Sequence, residues 1–210
     1  MDFSYERNLQ LAGYQLIAGI DEAGRGPLAG PVVAAAVIFS FTEIPQDLER
    51  LADSKKLSAR RRELFSKIIM ARAAAFGIGI CDHQTIDRLN ILQATFLAMK
   101  KALTALAAQP DIILVDGQLP LPNYSAPQKP IINGDNMIFS IAAASILAKV
   151  ARDRIMKQMH ERYPQYCFNQ HKGYGTKLHL AMLRLYGPCE IHRQSFRPIK
   201  HFFKISAYRH

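Results

Sequence analysis

The chain has 210 residues, with 27 Lys and Arg against 17 Asp and Glu for a formal net charge of +10, and 49% of its residues are apolar. This composition excludes a disordered chain, and the length favours one domain with a small appendage over two equal domains. The first ten residues lack the basic region of a secretory signal, and no apolar run reaches the ~20 residues of a membrane-spanning helix. We therefore expect a cytoplasmic protein with no membrane partner.

The positive charge is concentrated in the last third of the chain. Residues 1–148 hold 14 basic and 14 acidic residues, whereas residues 149–210 hold 13 basic and 3 acidic ones. A field of one sign attracts polyanions, so nucleic acid is the leading class of partner. A basic surface kept for solubility is the alternative, and the composition suits a monomer.

Strands and helices are predicted to alternate in the first half of the chain. Apolar runs rich in Val and Ile predict two neighbouring strands over residues 14–20 and 31–41. Ser58 is placed to cap a helix over residues 59–74, and a third strand follows over residues 76–81.

The second half continues this alternation and ends in helices. Apolar residues at helical spacing predict a helix over residues 87–108, and a short buried strand follows at 111–115. After a Pro-rich loop we predict a strand at 130–133, a long helix at 137–161, a helix at 176–186 and an irregular basic tail. The pattern predicts an α/β fold, with a helical C-terminal extension on a central sheet.

Four acidic residues stand where such a fold can bring them together. Asp21 and Glu22 close the first predicted strand, Asp116 closes a later one, and Asp135 precedes the long helix. Hard cations such as Mg²⁺ and Mn²⁺ prefer oxygen ligands of this kind. The alternatives are local, since Asp116 and Gly117 make a good turn and Asp135 is well placed to cap a helix. The adjacent Asp21 and Glu22 point to opposite faces of a strand, so one of them is expected to face a covered side, where a lone charge is costly.

A glycine-rich segment follows the first acid pair. Residues 23–31 read AGRGPLAGP, in which Gly24 and Gly26 leave backbone N–H groups unshielded and Arg25 adds a fixed charge. This arrangement suits close contact with an oxygen-rich ligand. The spacing differs from the dinucleotide-binding fingerprint, and the ending of a P-loop is absent, so a nucleoside triphosphate site has little support.

Five ordered motifs carry a resemblance to a known family. They are GIDEAGRGPLAGPV at residues 19–32, DSKKLS at 53–58, LVDG at 114–117, AAASILAKVARDR at 142–154 and HKGYGT at 171–176. Together they resemble ribonuclease HII, the type 2 ribonuclease H of bacteria. The similarity runs in the family's order from about residue 17 to residue 198.

The resemblance implies both a fold and an activity. The fold is a ribonuclease-H-like mixed sheet flanked by helices, with residues 1–160 as the catalytic domain and residues 161–210 as a helical basic extension packed on it as one unit. The activity is that of an endonuclease that cuts the RNA strand of RNA/DNA hybrids and nicks duplex DNA 5′ to embedded ribonucleotides. A two-metal mechanism would leave 3′-hydroxyl and 5′-phosphate ends. The related ribonuclease HIII normally has an extra N-terminal domain, and the short segment before the first predicted strand argues against it.

By the same resemblance, Asp21, Glu22 and Asp116 match the family's catalytic, metal-binding carboxylates. Two Mn²⁺ or Mg²⁺ ions are expected when the substrate is bound. Asp135 matches the fourth carboxylate. Asp153 is the competing candidate, although it lies far along the predicted long helix, where it is expected to pair with an adjacent arginine.

The resemblance also implies contacts with the nucleic acid. A turn reads the ribose 2′-hydroxyl, a tyrosine stacks on the deoxyribose after the ribonucleotide, and two lysines lie near phosphates. The matching residues are Gly24, Arg25 and Gly26 for the turn, Tyr174 for the stacking, and Lys55 and Lys172 for the phosphates. The basic residues at 56 and 60–62 are explained equally well as a solvated helix start.

Some alternatives stay open at this point. The family usually has Lys where this chain has Asn133, so we expect an altered metal dependence that favours Mn²⁺ over Mg²⁺. Clamp binding by the tail of residues 200–210 is a weaker alternative to a packing or disordered tail. A non-catalytic RNA/DNA hybrid-binding module is the rival from another class, and the presence of all four acids argues against it, because unneutralised carboxylates repel a polyanion.

Overall fold

The computed structural model describes residues 3–40, 44–49 and 57–206, with the backbone alone for residues 203–206. Its centre is a five-stranded mixed sheet. The strands are β1 (Ile17–Ala23), β2 (Val32–Ile38), β3 (Ala75–Cys81), β4 (Ile112–Asp116) and β5 (Gln128–Ile131). They lie in the order β3-β2-β1-β4-β5, with β1 antiparallel to β2, β2 antiparallel to β3, and β1, β4 and β5 parallel. The predicted pairing of the first two strands is confirmed.

Helices cover both faces of this sheet. They are α1 (Ser4–Leu11), α2 (Ala59–Arg72), α3 (His83–Leu89), α4 (Ile91–Thr104), α5 (Gly134–Met137), α6 (Phe139–Arg162), α7 (Phe168–His171), α8 (Lys177–Tyr186) and α9 (Ile199–Ser206). On one face α6 packs against β1 and β2, and on the other α4 packs against β2 and β3. The predicted fold class, a mixed sheet flanked by helices with further helices at the C-terminal end, is confirmed. In the part of the chain described, no helix is both long and apolar enough to cross a membrane.

The sheet is built from small residues that let the helices come close. Strand β2 reads VVAAAVI and is buried over its whole length, with alternate residues facing α4 and α6. A Cβ atom on Gly19 of β1 would lie 2.3 Å from the backbone carbonyl carbon of Ser140. On Gly79 of β3 it would lie 1.9 Å from the carbonyl oxygen of Ala98. Glycine at these two positions therefore lets α6 and α4 lie directly on the sheet.

The helices differ from the sequence prediction at three places. The single helix predicted over residues 87–108 is wrong, because Asn90 has a φ of 70° and separates α3 from α4. The Asn90 side chain also caps α4, accepting from the N–H groups of Leu92 and Gln93. The tail predicted as irregular contains α9, and α1 lies before β1, where the pattern predicts no helix.

The segment after α6 packs against the loop that follows β1. Leu28 and Ala29 of this loop and Met156 of α6 form an apolar cluster with residues from the last fifty positions. Those residues are Tyr166, Phe168, Leu183, Ile191 and Ile199. Phe202 also packs on the cluster, so this part of the tail is engaged in packing. The division of the chain at residue 160 stays a prediction.

A row of buried histidines adjoins this cluster. The N–H of Cys189 donates to Nδ1 of His192 at 2.9 Å, and Nε2 of His192 lies 3.0 Å from Nε2 of His179. Nδ1 of His179 in turn lies 2.9 Å from the carbonyl oxygen of Tyr174. Both rings are therefore neutral, with the proton on Nε2 of His192 and on Nδ1 of His179. Burial lowers the pKa of His179 to about 4 and the pKa of His192 to about 3.

Folding stability is predicted to fall in mild acid because of this row. Between pH 6.5 and about 4 the unfolded chain protonates His179 and His192, whereas the folded chain does not. The contribution of these two neutral rings to the free energy of unfolding is thus fully present above pH 6.5, and it should fall by about 5 kcal/mol by pH 4.5. Urea unfolding across this range measures the slope. His192→Gln should flatten it and the exposed His201→Gln should not; equal slopes in both variants would contradict the assignment.

Candidate active site

The acidic residues of β1 and β4 meet in space. Strand β1 continues past Asp21 and Glu22, so both lie within the strand rather than after it. The parallel register pairs Ile20 with Val115, which brings Asp21 beside Asp116 at the end of β4. Asp21 is only 5% exposed. The expectation that one acid of the adjacent pair faces a covered side is confirmed.

Burial and neighbouring negative charge raise the pKa of Asp21 and Glu22. Burial, followed by the charges of Glu22 and Asp116, raises the pKa of Asp21 well above its ordinary value. The Ser145 side chain and the N–H of Glu22, 2.6 Å from Oδ1, hydrogen-bond Asp21 and oppose this in part. Burial also raises the pKa of Glu22, against the attraction of Arg25, whose Nη1 lies 3.2 Å from its Oε1. The cluster is short of positive charge, a condition that a bound cation relieves.

Asp135 joins this cluster through its backbone. Its N–H donates to Oδ1 of Asp116 at 3.3 Å. It lies in the first turn of α5, and the residue before that helix is Asn133, in the left-handed conformation with a φ of 56°. The helix-capping interpretation of Asp135 is therefore wrong, and the tight turn at Asn133 is what returns the chain to the end of β4.

Asp153 lies in a different place. Its Oδ1 accepts from Nζ of Lys149 at 2.7 Å, one turn earlier on α6, so the expected pairing with an adjacent arginine is wrong. With Lys149, Lys157 and Lys172 it lines a second cavity of about 250 Å³. This placement favours Asp135 over Asp153 as the fourth carboxylate of the cluster.

Two buried arginines hold residues 24–31, which we call the glycine loop. Both guanidinium groups are completely buried. Arg193 donates to the carbonyl oxygens of Gly24, Arg25, Gly30 and Pro31 at 2.6 to 3.1 Å. Arg152 donates to those of Ala29 and Pro31 at 3.1 and 2.9 Å. Gly24 has a φ of +99°, and a Cβ there would lie 2.1 Å from Nε of Arg152, so the loop requires glycine at this position.

The loop of residues 171–176 packs beside the glycine loop. The N–H of Leu28 donates to the carbonyl oxygen of Gly173 at 2.8 Å. The Tyr174 ring is 43% exposed and lies 3.8 Å from where a Cβ of Gly26 would be. The structure therefore brings Tyr174 and the turn of residues 24–26 together, as two walls of one surface.

The two lysines matched to phosphate positions have different outcomes. Lys172 is half-buried on the same loop as Tyr174. Burial, and then the charges of Lys157 and Lys149, lower its pKa, while Asp153 opposes this shift. Lys55 lies outside the described residues. Lys172 thus lies among positively charged side chains, and a bound anion would reduce the repulsion between them.

Sequence reasoning missed both buried arginines. A signal for Arg152 exists, since Ala148, Arg152 and Met156 follow at intervals of four on one buried face of α6. A charged residue on such a face indicates a buried hydrogen-bonding partner. Arg193 lies outside regular helices and strands, and no periodic pattern marks it.

A cavity of about 370 Å³ opens beside the acids on the α4 side of the sheet. Glu22, Arg25 and Asp116 contribute to its polar lining, and Phe96 and Met99 to its apolar lining. Among residues 3–40, 44–49 and 57–206, no three side chains of His, Cys, Asp or Glu lie close enough together to form a metal site by themselves. The acid oxygens are nevertheless the donors that Mg²⁺ and Mn²⁺ prefer.

Comparison with known proteins agrees with this fold. The family model of ribonuclease HII matches residues 18–199. Ribonuclease HII of Caldicellulosiruptor saccharolyticus is 52% identical over 194 residues, covering 92% of this chain and 93% of that protein. The Geobacter sulfurreducens enzyme is 50% identical over 198 residues, covering 94% and 89%. The structure of ribonuclease H2 from Pyrococcus horikoshii superposes with a TM-score of 0.72 at 26% identity, over 90% of this chain and 98% of that one.

The fold and the family match define a nuclease of the ribonuclease H class. The family match spans most of the chain, and the chain belongs to the ribonuclease HII family. It is an endonuclease of type 2, a phosphodiester hydrolase with ribonuclease H activity on RNA/DNA hybrids.

Gly24→Ala is predicted to destabilise the protein more than Gly13→Ala. Both glycines have nearly the same φ, +99° and +101°, so both substitutions carry about 1 kcal/mol of backbone strain. Only Gly24 faces a neighbour, Nε of Arg152, whereas nothing lies within 4 Å of a Cβ at Gly13. We expect a further loss of about 1–3 kcal/mol for Gly24→Ala in urea unfolding. Equal losses in the two variants would show that Arg152 does not fill this space.

Proposed function

We propose that this enzyme, in addition to cutting the RNA strand of hybrids, nicks duplex DNA on the 5′ side of an embedded ribonucleotide and leaves 3′-hydroxyl and 5′-phosphate ends. The supporting observation is the position of the glycine loop directly beside the acids, with Arg25 in contact with Glu22. The N–H groups of Arg25 and Gly26 donate to no residue that the structure describes. A 2′-hydroxyl distinguishes RNA from DNA, and its oxygen can accept hydrogen bonds from such N–H groups.

We assign two divalent cations, Mn²⁺ or Mg²⁺, to the cluster of Asp21, Glu22, Asp116 and Asp135. The fit rests on the oxygen donors and on the burial and like charge that raise the pKa of Asp21 and Glu22. Mg²⁺ usually takes one or two protein carboxylates and completes its shell with substrate phosphate oxygens and water. We therefore expect the ions to bind together with the substrate. When bound, they supply an activated water and stabilise the leaving 3′-oxygen.

The protein's own side chains bind and orient the substrate in this proposal. Tyr174 is exposed beside Gly26 and is assigned to stack on the deoxyribose after the ribonucleotide. Lys172 and Lys55 are assigned to backbone phosphates. Contacts of this kind carry no information about base sequence, which suits an enzyme that acts wherever a ribonucleotide lies.

A non-catalytic hybrid-binding module is the alternative. It would leave the repulsion within the acid cluster without a purpose, since such acids also repel the bound polyanion. The pKa of Asp21 is raised by burial and by its acidic neighbours, so the fold sustains an arrangement that binding alone does not need. Membership of the ribonuclease HII family also decides for the enzyme.

We propose that the enzyme acts as a monomer in the cytoplasm.

A replication clamp is a further proposed partner. Ribonuclease HII of Archaeoglobus fulgidus, 25% identical with a TM-score of 0.68, has been solved in a complex with PCNA. The structural match covers 87% of this chain and 95% of the Archaeoglobus fulgidus chain. Ile199 is fully buried and Phe202 packs on the apolar cluster, so clamp binding is proposed only for the residues beyond them.

Asp116→Asn is the experiment that tests the catalytic assignment. The neutral side chain removes a ligand from the cluster, so cleavage of an end-labelled RNA/DNA hybrid should fall by about 1,000-fold or more. Binding of the hybrid should change by less than about threefold, because Asp116 is assigned to the metal ions and not to the duplex, whose phosphates are contacted by other residues. Asp153→Asn is the matched control and should retain cleavage. Loss of binding with retained cleavage in Asp116→Asn would overturn the assignment.

Tyr174→Ala is predicted to weaken recognition of the RNA–DNA junction. A lost stacking contact should reduce cleavage of a duplex with one ribonucleotide by about tenfold relative to cleavage of a long hybrid. Tyr174→Phe retains the ring and should keep the ratio. The Mn²⁺ concentration for half-maximal activity should stay the same in both variants. A ratio unchanged by Tyr174→Ala would refute the stacking role.

Asn133→Lys is predicted to shift the ratio of activity in Mg²⁺ to activity in Mn²⁺ towards Mg²⁺. It restores a cation two residues from Asp135, at the left-handed position before α5. The exposed Asn136→Lys adds the same charge on α5 and serves as the control. Initial rates in each metal measure the ratio. A ratio of activity in Mg²⁺ to activity in Mn²⁺ that is the same in Asn133→Lys and in the parent would show that the missing lysine does not set the metal dependence.

A further inference from the structure

Two guanidinium groups approach the glycine loop from inside the protein. Arg152 comes from α6, and Arg193 comes from the segment after α8, so positions about forty residues apart meet beneath the loop. Together they donate six hydrogen bonds, all to backbone carbonyl oxygens of the loop. Four of the six come from Arg193. A planar fork of five N–H donors suits such a set of fixed acceptors, and a lysine ammonium does not.

These arginines are not held by acidic partners. No carboxylate of the described residues lies within 4.0 Å of either guanidinium. Burial, and then the charge of Arg152, lower the pKa of Arg193 to about 9, so it still carries its charge at neutral pH. Burying two like charges side by side raises the free energy of the folded state unless their hydrogen bonds compensate for it. Their hydrogen bonds show that what they support is the backbone of the loop.

The direction of a carbonyl fixes the direction of the next N–H. In a planar trans peptide the C=O of one residue and the N–H of the following residue point to opposite sides. Arg193 holds the carbonyl of Gly24 inward with Nη2 at 2.6 Å and that of Arg25 inward with Nη1 at 2.9 Å. The N–H groups in the same two peptide units, those of Arg25 and Gly26, must therefore point outward. These are the two donors that no described residue accepts.

We propose that Arg193, with Arg152 beside it, is a positioning residue for ribonucleotide recognition, because it aims the N–H groups of Arg25 and Gly26 at the substrate's 2′-hydroxyl. The residue touches no substrate and acts through the backbone alone. It also makes the segment after α8 a part of the recognition site. This inference rests on the proposed function, because it takes the glycine loop to be the ribose-reading element.

Arg152 also lies against Tyr174. The centre of the Arg152 guanidinium lies 5.7 Å from the centroid of the Tyr174 ring, within reach of a cation–π contact. Nη1 of Arg152 has no hydrogen-bond partner among the described residues, and its other two nitrogens are engaged by the loop. Arg152 thus couples the position of the glycine loop to the position of the exposed ring beside it.

The test separates recognition of the ribose from binding of the duplex. In an Asp116→Asn background, which suppresses cleavage, affinity is measured for a DNA duplex with one ribonucleotide and for the same duplex made entirely of DNA. Arg193→Lys keeps the charge but cannot hold both carbonyls, so the ratio of the two affinities should fall about tenfold while all-DNA affinity stays unchanged. Arg184→Lys, an exposed arginine of α8, is the matched control and should keep the parent ratio.

Three outcomes overturn the inference. An unchanged affinity ratio in Arg193→Lys does so directly. An equal fall in both affinities, with a lower melting temperature, assigns Arg193 to general stability instead. A parent protein that binds both duplexes equally removes the proposed function itself, and this inference with it, so the two failures are distinguishable.

Hydrogen exchange provides a second measurement that does not depend on a foldable arginine variant. In the Asp116→Asn protein, the amides of Arg25 and Gly26 should exchange freely without ligand. They should become protected by the ribonucleotide duplex and stay unprotected with the all-DNA duplex. Equal protection by both duplexes, or protection in the free protein, would contradict the orientation that we assign to these amides.

Discussion

The parallel pairing of β1 with β4 is the constraint on which the rest of the site depends. It places Asp21 beside Asp116 at one end of the sheet, and Asp21, which is hydrogen-bonded by Ser145 of α6, is almost completely buried. Carboxylates in such a place favour protonation or a cation. The small residues of β1 and β2 are part of the same arrangement, because they allow α6 to lie close enough to cover Asp21.

Charge of the opposite sign is buried a short distance away. Arg152 and Arg193 hold the glycine loop from below, and the same loop bears Arg25, which contacts Glu22. The acids would hold cations that act on the phosphodiester, and the loop would select the sugar beside it. Because the loop continues directly from β1 and is held by Arg152 of α6, its distance from the acids of β1 is set by the packing of α6 on the sheet. The C-terminal segment contributes Arg193 and Tyr174 and is therefore a structural part of the site.

The sequence predicts the alternation of strands and helices, the pairing of the first two strands and the clustering of the acids, because periodicity and strand-end position are local signals. It does not predict the break at Asn90, since the positive φ of one residue interrupts an otherwise continuous helical pattern. It does not reveal Arg193, whose partners are backbone carbonyls more than 160 positions away. Contacts of this kind produce no periodic pattern in the sequence, so they can be identified only in the folded structure.

The central claim is that a metal-dependent acid cluster cuts beside a loop that reads a single ribose. Its most direct measurement is cleavage of an end-labelled DNA duplex with one ribonucleotide, in Mg²⁺, in Mn²⁺ and with chelator, next to an all-DNA duplex. The account predicts a nick 5′ to the ribonucleotide in at least one metal, no product with chelator and an intact all-DNA control. A duplex that is bound but left whole in both metals, or all-DNA cut equally well, would contradict it.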